Sequence, residues 1–213
     1  MVRELIIVIF ALGLSSAAVS TSACPDLEHS AISRKTPVEE LASFLSAQRA
    51  LSPAERDPEC IDVAIRYLAY RPSTGTIYVL IQYLDFRRPL SEPEQHGIML
   101  HAPGISSDYP AVSTLITFGK QIAPILVNTI KEPPSVKVRQ NATYTLVGLF
   151  REEPEQALKL LKQESATSDP VERDQIFSAA KDAVQWCSSK HKQACNAVLN
   201  QWQEKDLSKS EVR

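Results

Sequence analysis

Glycine is scarce in this chain, at six residues in 213. A fold built from many tight turns needs glycine where the backbone enters positive φ, so a turn-dense β-protein is disfavoured. A basic excess is missing as well. Lysine and arginine number 23 against 25 aspartates and glutamates, a formal net charge of −2, which argues against a dedicated nucleic-acid binder. Beyond the first segment no apolar run reaches the length of a membrane span. Three catalytic signatures are absent too: a glycine-rich phosphate loop, a Gly-x-Ser-x-Gly elbow and a His-Glu-x-x-His pair.

What is present is 44% hydrophobic and 23% charged, with 14 prolines, the balance of a folded chain. It opens MVRELIIVIFALGLSSAAVSTSAC. Arg3 supplies a weak positive start, Leu5 to Leu14 an apolar run, and small residues follow. That order predicts a secretory signal peptide over 1–23, cleaved after Ala18, Ser20 or Ala23. The alternatives are an anchor helix and lipid attachment at Cys24, although Thr21 stands where a lipobox carries leucine. The expected location is therefore secreted, periplasmic or at the cell envelope, with a membrane involved only through a lipid on Cys24.

Four cysteines, Cys24, Cys60, Cys187 and Cys195, suit an oxidising compartment. Three pairings are open. One joins Cys187 to Cys195 across CSSKHKQAC, clamping a helical hairpin by about 2–3 kcal/mol, and Cys24 to Cys60. The spacing does not fit a zinc site, and a catalytic Cys187–His191 pair is the competing use.

Helix starts are written in the prolines. TPVE at Thr36, SPAE at Ser52 and DPVE at Asp169 each place a capping side chain before Pro, with Glu at the third helical position. DPEC at Asp57 is a looser copy. Apolar residues then recur at helical spacing. Ile61, Ala64, Ile65 and Leu68 make one face; Val138, Ala142, Leu146 and Leu149 make another. TIYVLIQYLDF is rich in strand formers, but helical neighbours and the lack of a partner strand favour helix. A polar start, an Arg four residues on, then apolar or small residues recur from Ser135 and from Asp169, which are 34 positions apart. Asp57 and Asp108 open weaker copies.

VRQNATYTLVG, Val138 to Gly148, resembles the first helix of a HEAT repeat, and APILVNTI and EPEQALKLL resemble the matching second helices. The resemblance is to the HEAT-like or armadillo-like superfamily and spans roughly Asp57 to Trp202. It implies an all-α protein, a short right-handed α-solenoid of irregular helical hairpins that binds protein or peptide partners and has no catalytic residues to carry over. The expected organisation is an arm and capping helix over 24–56, a repeat domain over 57–203 with an inter-repeat loop over 87–107, and a flexible tail over 204–213. Ala142 and Gly148 are expected where helices approach closely, and Arg139 on an acceptor in an adjacent repeat.

No catalytic residue, metal ligand or cofactor is assigned, and oligomeric state is left open. The expected function is an exported, non-enzymatic binding or scaffold module, its partner surface including Gln82, Asn128 and Lys159 on second helices and the basic pair Arg87 and Arg88. The competing functions are a metal-dependent hydrolase using the His96–Asp108 loop, which holds His96, His101, Glu92, Glu94 and Asp108, and a structural envelope lipoprotein. Ile98, Met99 and Leu100 are expected to tuck that loop onto the helices. Asn141 heads an Asn-Ala-Thr sequon inside a predicted helix, where a surface or ladder Asn competes with glycosylation.

Overall fold

The computed structural model describes residues 36–98, 104–185 and 187–210, with side chains through 203. The signal-peptide segment, Cys24, Met99, Leu100 and His101 lie outside the described residues. Those described form helices and no strand. In chain order they are α1 (Val38–Ala50), α2 (Pro58–Leu68), α3 (Thr74–Gln82), the single turns α4 (Glu92–Gln95) and α5 (Ile105–Asp108), α6 (Pro110–Thr117), a 3₁₀ turn (Lys120–Ile122), α7 (Ala123–Lys131), α8 (Val136–Leu149), α9 (Pro154–Ser165), α10 (Pro170–Val184) and α11 (Ser189–Ser210). The ambiguous TIYVLIQ segment is helical as α3, with Ser73 Oγ accepting from the Thr76 N–H at 3.1 Å.

Two of the helix starts hold as expected. Asp169 accepts from Glu172 N–H at 2.9 Å, and Asp57 accepts from Cys60 N–H at 3.0 Å. Two differ. Ser52 donates from its N–H at 3.1 Å and its hydroxyl at 2.7 Å to Glu55 Oε2, but the Glu55 N–H goes to the Ser52 carbonyl at 3.0 Å and the segment is a turn. Pro58 follows too closely, holding Asp57 in extended backbone at φ −96° and forcing a fresh helix start. At the first helix Thr36 does not cap. Pro37 is the capping residue, its carbonyl accepting from Leu41 N–H at 3.2 Å, while the Thr36 carbonyl accepts from Arg71. The expected tail is also shorter. α11 runs on through Ser210 because 204–210 holds neither proline nor glycine to stop it.

Packing follows chain order. α2 contacts α6, α6 contacts α8 and α8 contacts α10; likewise α7 contacts α9 and α9 contacts α11. One continuous apolar cluster, from Leu41 to Trp202, fills the space between them. At the α1 end, Tyr83 is buried and its hydroxyl donates to the Leu45 carbonyl at 2.5 Å. Arg49 lies over that ring, 5.7 Å from its centroid, and pairs with Asp85 at 3.2 Å. Gly148 is small for a visible reason: a Cβ there would stand 2.5 Å from Ile116 Cδ1 across the α6–α8 contact.

Buried polar groups tie one helix to the next. Asn141 is fully buried, its amide donating to the Leu84 carbonyl at 2.5 Å, so the folded chain leaves no room for a glycan on that nitrogen. Arg139 is also buried. It donates to the Ile130 carbonyl at 2.9 Å, to the Lys131 carbonyl at 3.4 Å and to Gln175 Oε1. Burial lowers the guanidinium pKa, with the charges of Glu172 and Asp169 opposing. Arg173, 34 positions later, donates to the Ser165 carbonyl at 3.3 Å and the Ser168 carbonyl at 3.2 Å. Each arginine thus reaches back to the C-terminal end of the preceding helix: Arg139 satisfies carbonyls that α7 leaves open, and Arg173 adds a second bond to the Ser165 carbonyl, which also accepts from the Ser168 N–H at 3.1 Å.

Candidate functional site

The surface residues singled out from sequence fall in two settings. Gln82, Asn128 and Lys159 are exposed on α3, α7 and α9. Arg87 is exposed but its guanidinium contacts Asp108 at 3.0 Å. Arg88 is engaged: it forms a two-pronged pair with Glu94 at 2.6 and 2.7 Å and donates to the Ser107 carbonyl at 2.8 Å. It joins residues 94 and 107 of the 87–107 segment to one side chain and is not an open contact point.

That clasp accounts for the ionisable residues of the loop. Glu94 also accepts from Ser91 N–H at 2.9 Å and Ser91 Oγ–H at 2.7 Å. The Arg88 bond, with Ser91 second, holds its carboxyl well below the usual carboxylate range. His96 Nδ1 meets the Glu92 carbonyl at 2.7 Å. Among the described residues no three of His, Cys, Asp and Glu converge as metal ligands. Ile98 does not tuck in as expected; it is 57% exposed. Charge-assisted bonds at Arg88 hold this part of the loop in place of apolar anchoring.

A cavity of about 340 Å³ opens where α5, α6, α8 and α10 meet. Its walls are apolar, with Ile105, Val112, Ile116 and Val147, and its rim carries Tyr144, Arg151 and Ser188. The close α6–α8 approach at Gly148 forms one wall. Cys187, in the turn between α10 and α11, forms part of the lining. Its sulfur lies 3.0 Å from that of Cys195, and both are free thiols. Burial pushes the Cys187 thiol up, the charge of Glu155 adds to that, and Cys195 and Lys192 oppose it. Burial, then Cys187, pushes Cys195 up to about 12.

The two ends of the α9–α11 contact meet as charges. Lys190 lies 3.6 Å from Glu152, and His191 Nδ1 lies 3.9 Å from Glu155. In the sequence these are two unrelated clusters, SSKHKQ and REEPE, and nothing in their spacing shows that they face each other. The cavity was equally invisible there, since its walls come from four helices. Cys60 is disulfide-bonded; Cys24, its expected partner, lies outside the described residues.

Among the described residues no single helix is long and apolar enough to cross a membrane. Comparison with known proteins returns no matching family model, no matching curated protein and no matching solved structure.

Proposed function

We propose that this chain is an exported, non-enzymatic protein-binding or scaffold module that works through the surface of a short, right-handed, HEAT-like stack of helical hairpins. The observation that carries this is the repeated backward clasp. Arg139 and Arg173 do the same work one hairpin apart, which is what a structural repeat of about one helical hairpin requires. The order of contacts, α2–α6–α8–α10 beside α7–α9–α11, supports the same reading. Such a stack offers broad surface on its second helices, where Gln82, Asn128 and Lys159 are exposed, and that surface suits a protein or peptide.

The test is cross-linking capture by the mature chain in its native secreted or envelope fraction. It runs beside a triple variant, Gln82→Arg, Asn128→Arg and Lys159→Glu, whose circular dichroism and Tm match the native chain. One protein captured by the native chain and lost by the variant is the expected result. Equal capture by both, or no reproducible capture by a folded sample, overturns the proposal.

A further inference from the structure

The dithiol beside the cavity is used by nothing described so far. Two sulfurs eight residues apart in sequence stand 3.0 Å apart, against a disulfide bond length of about 2.05 Å. They are not equivalent. Cys195 is buried on α11, whereas Cys187 is half-buried and faces the cavity. A reagent entering the cavity therefore reaches Cys187 first, and Cys195 is already in place behind it. The cavity, at about 340 Å³, is of small-molecule size. Val112, Ile116 and Val147 give it apolar walls, and Arg151, 3.5 Å from the Glu152 carboxylate, stands at the rim.

We propose that Cys187 and Cys195 are a thiol–disulfide exchange pair that reduces small aromatic or apolar organic disulfides admitted through this cavity. In the first step Cys187, which must first lose its proton to solvent because burial holds its thiol up, attacks one sulfur of the reagent, so the rate climbs with pH. A Cys187–reagent bond forms, the reagent's own S–S bond breaks, and the released thiolate takes up the proton that Cys187 lost. In the second step the Cys195 thiolate attacks Cys187 Sγ. The Cys187–Cys195 bond forms and the second reagent thiol leaves with the proton from Cys195. Two protein thiols are oxidised to one disulfide, and one organic disulfide is reduced to two thiols. The exchange is stoichiometric, one organic disulfide for each dithiol, and is independent of the partner surface on the second helices.

The mature chain, reduced and freed of reductant, is treated with dithiobis-nitrobenzoate, a chromogenic aromatic disulfide, and its peptides are mapped by mass. The expected product of the native chain is a Cys187–Cys195 disulfide with no nitrobenzoate retained on either residue. Cys195→Ser retains the nitrobenzoate on Cys187. Cys187→Ser labels Cys195 about tenfold or more slowly, because that thiol is buried. Ile116→Phe, which narrows the cavity, slows aromatic labelling of Cys187 several-fold but leaves its alkylation by iodoacetamide unchanged. Adducts on both cysteines of the native chain without a bridge overturn the exchange pair. Equal labelling rates in the two serine variants overturn the order of attack, and an Ile116→Phe variant that reacts like the native chain overturns the cavity route.

Discussion

Arg139 and Arg173 carry the same chemistry in different surroundings. Arg139 is 6% exposed and serves two carbonyls and Gln175; Arg173 is half-buried and serves two carbonyls near the α9 end. Removing the buried one strands carbonyls that water reaches poorly. Arg139→Ala is expected to destabilise by roughly 2–3 kcal/mol and Arg173→Ala by about 1 kcal/mol, as charge-assisted bonds of that burial do. The double variant is expected to show the sum to within about 0.5 kcal/mol, since the carbonyls reached by Arg139 lie at the end of α7 and those reached by Arg173 at the end of α9. Urea denaturation of all three variants checks both statements, and a strongly coupled double variant would contradict them. The sequence pointed to an acceptor for Arg139 in an adjacent repeat, because its place in the resemblance implied one. It did not show the burial of Asn141, whose acceptor, Leu84 O, lies 57 residues away. No local pattern encodes a distance of that kind.

Elements were legible in proportion to how local their causes are. α10 was readable from DPVE because its cap, Asp169, and the N–H it satisfies are three residues apart. SPAE carried the same letters and made only a turn, because a second proline four residues beyond Ala54 restarted the chain. The 87–98 segment is the clearest case of non-local control. Its helical turn α4 is held by Arg88 and Ser91 through Glu94. The folded state lowers the Glu94 pKa below its unfolded value of about 4.3. The clasp therefore contributes its full stabilisation above about pH 4.3 and loses it progressively as pH falls toward the folded pKa. The protection factors of amide exchange over residues 91–98, each taken against the intrinsic rate at that pH, are expected to fall on acidification below pH ~4 before those of α8 do. Glu94→Gln is expected to show fast exchange in that segment already at neutral pH. An acid-insensitive loop in the native chain would mean that the ion pair does not hold it.

At the scale of the molecule the core is one cluster from α1 to α11, although each helix touches mainly its neighbours in order. Continuity of that kind is expected to couple neighbouring helices strongly enough for a single unfolding transition. Trp202 is buried at the far end, ring edge toward Phe177 with centroids 5.4 Å apart. In a Trp186→Phe background its fluorescence reports α10 and α11, while circular dichroism reports every helix. The two unfolding curves are expected to coincide in urea. A fluorescence midpoint well below the helical one would show that the last hairpin unfolds by itself. A full core replacement makes the same point from the middle: Leu126→Ala, at 0% exposure, is expected to lower both midpoints together, at about 2–5 kcal/mol.

The backward direction of the arginine clasps has a consequence in time. On a ribosome the chain emerges N-terminus first, at about 5–20 residues per second. α7 is complete at Lys131, but the residue that closes its final carbonyls is Arg139, eight positions later; α9 ends at Ser165, whose carbonyl already accepts from the Ser168 N–H before Arg173 adds a second bond. The end of α7 is thus sealed by the opening turn of α8, so a chain that stops short of residue 139 leaves the Ile130 and Lys131 carbonyls without the donor that the complete chain brings to them.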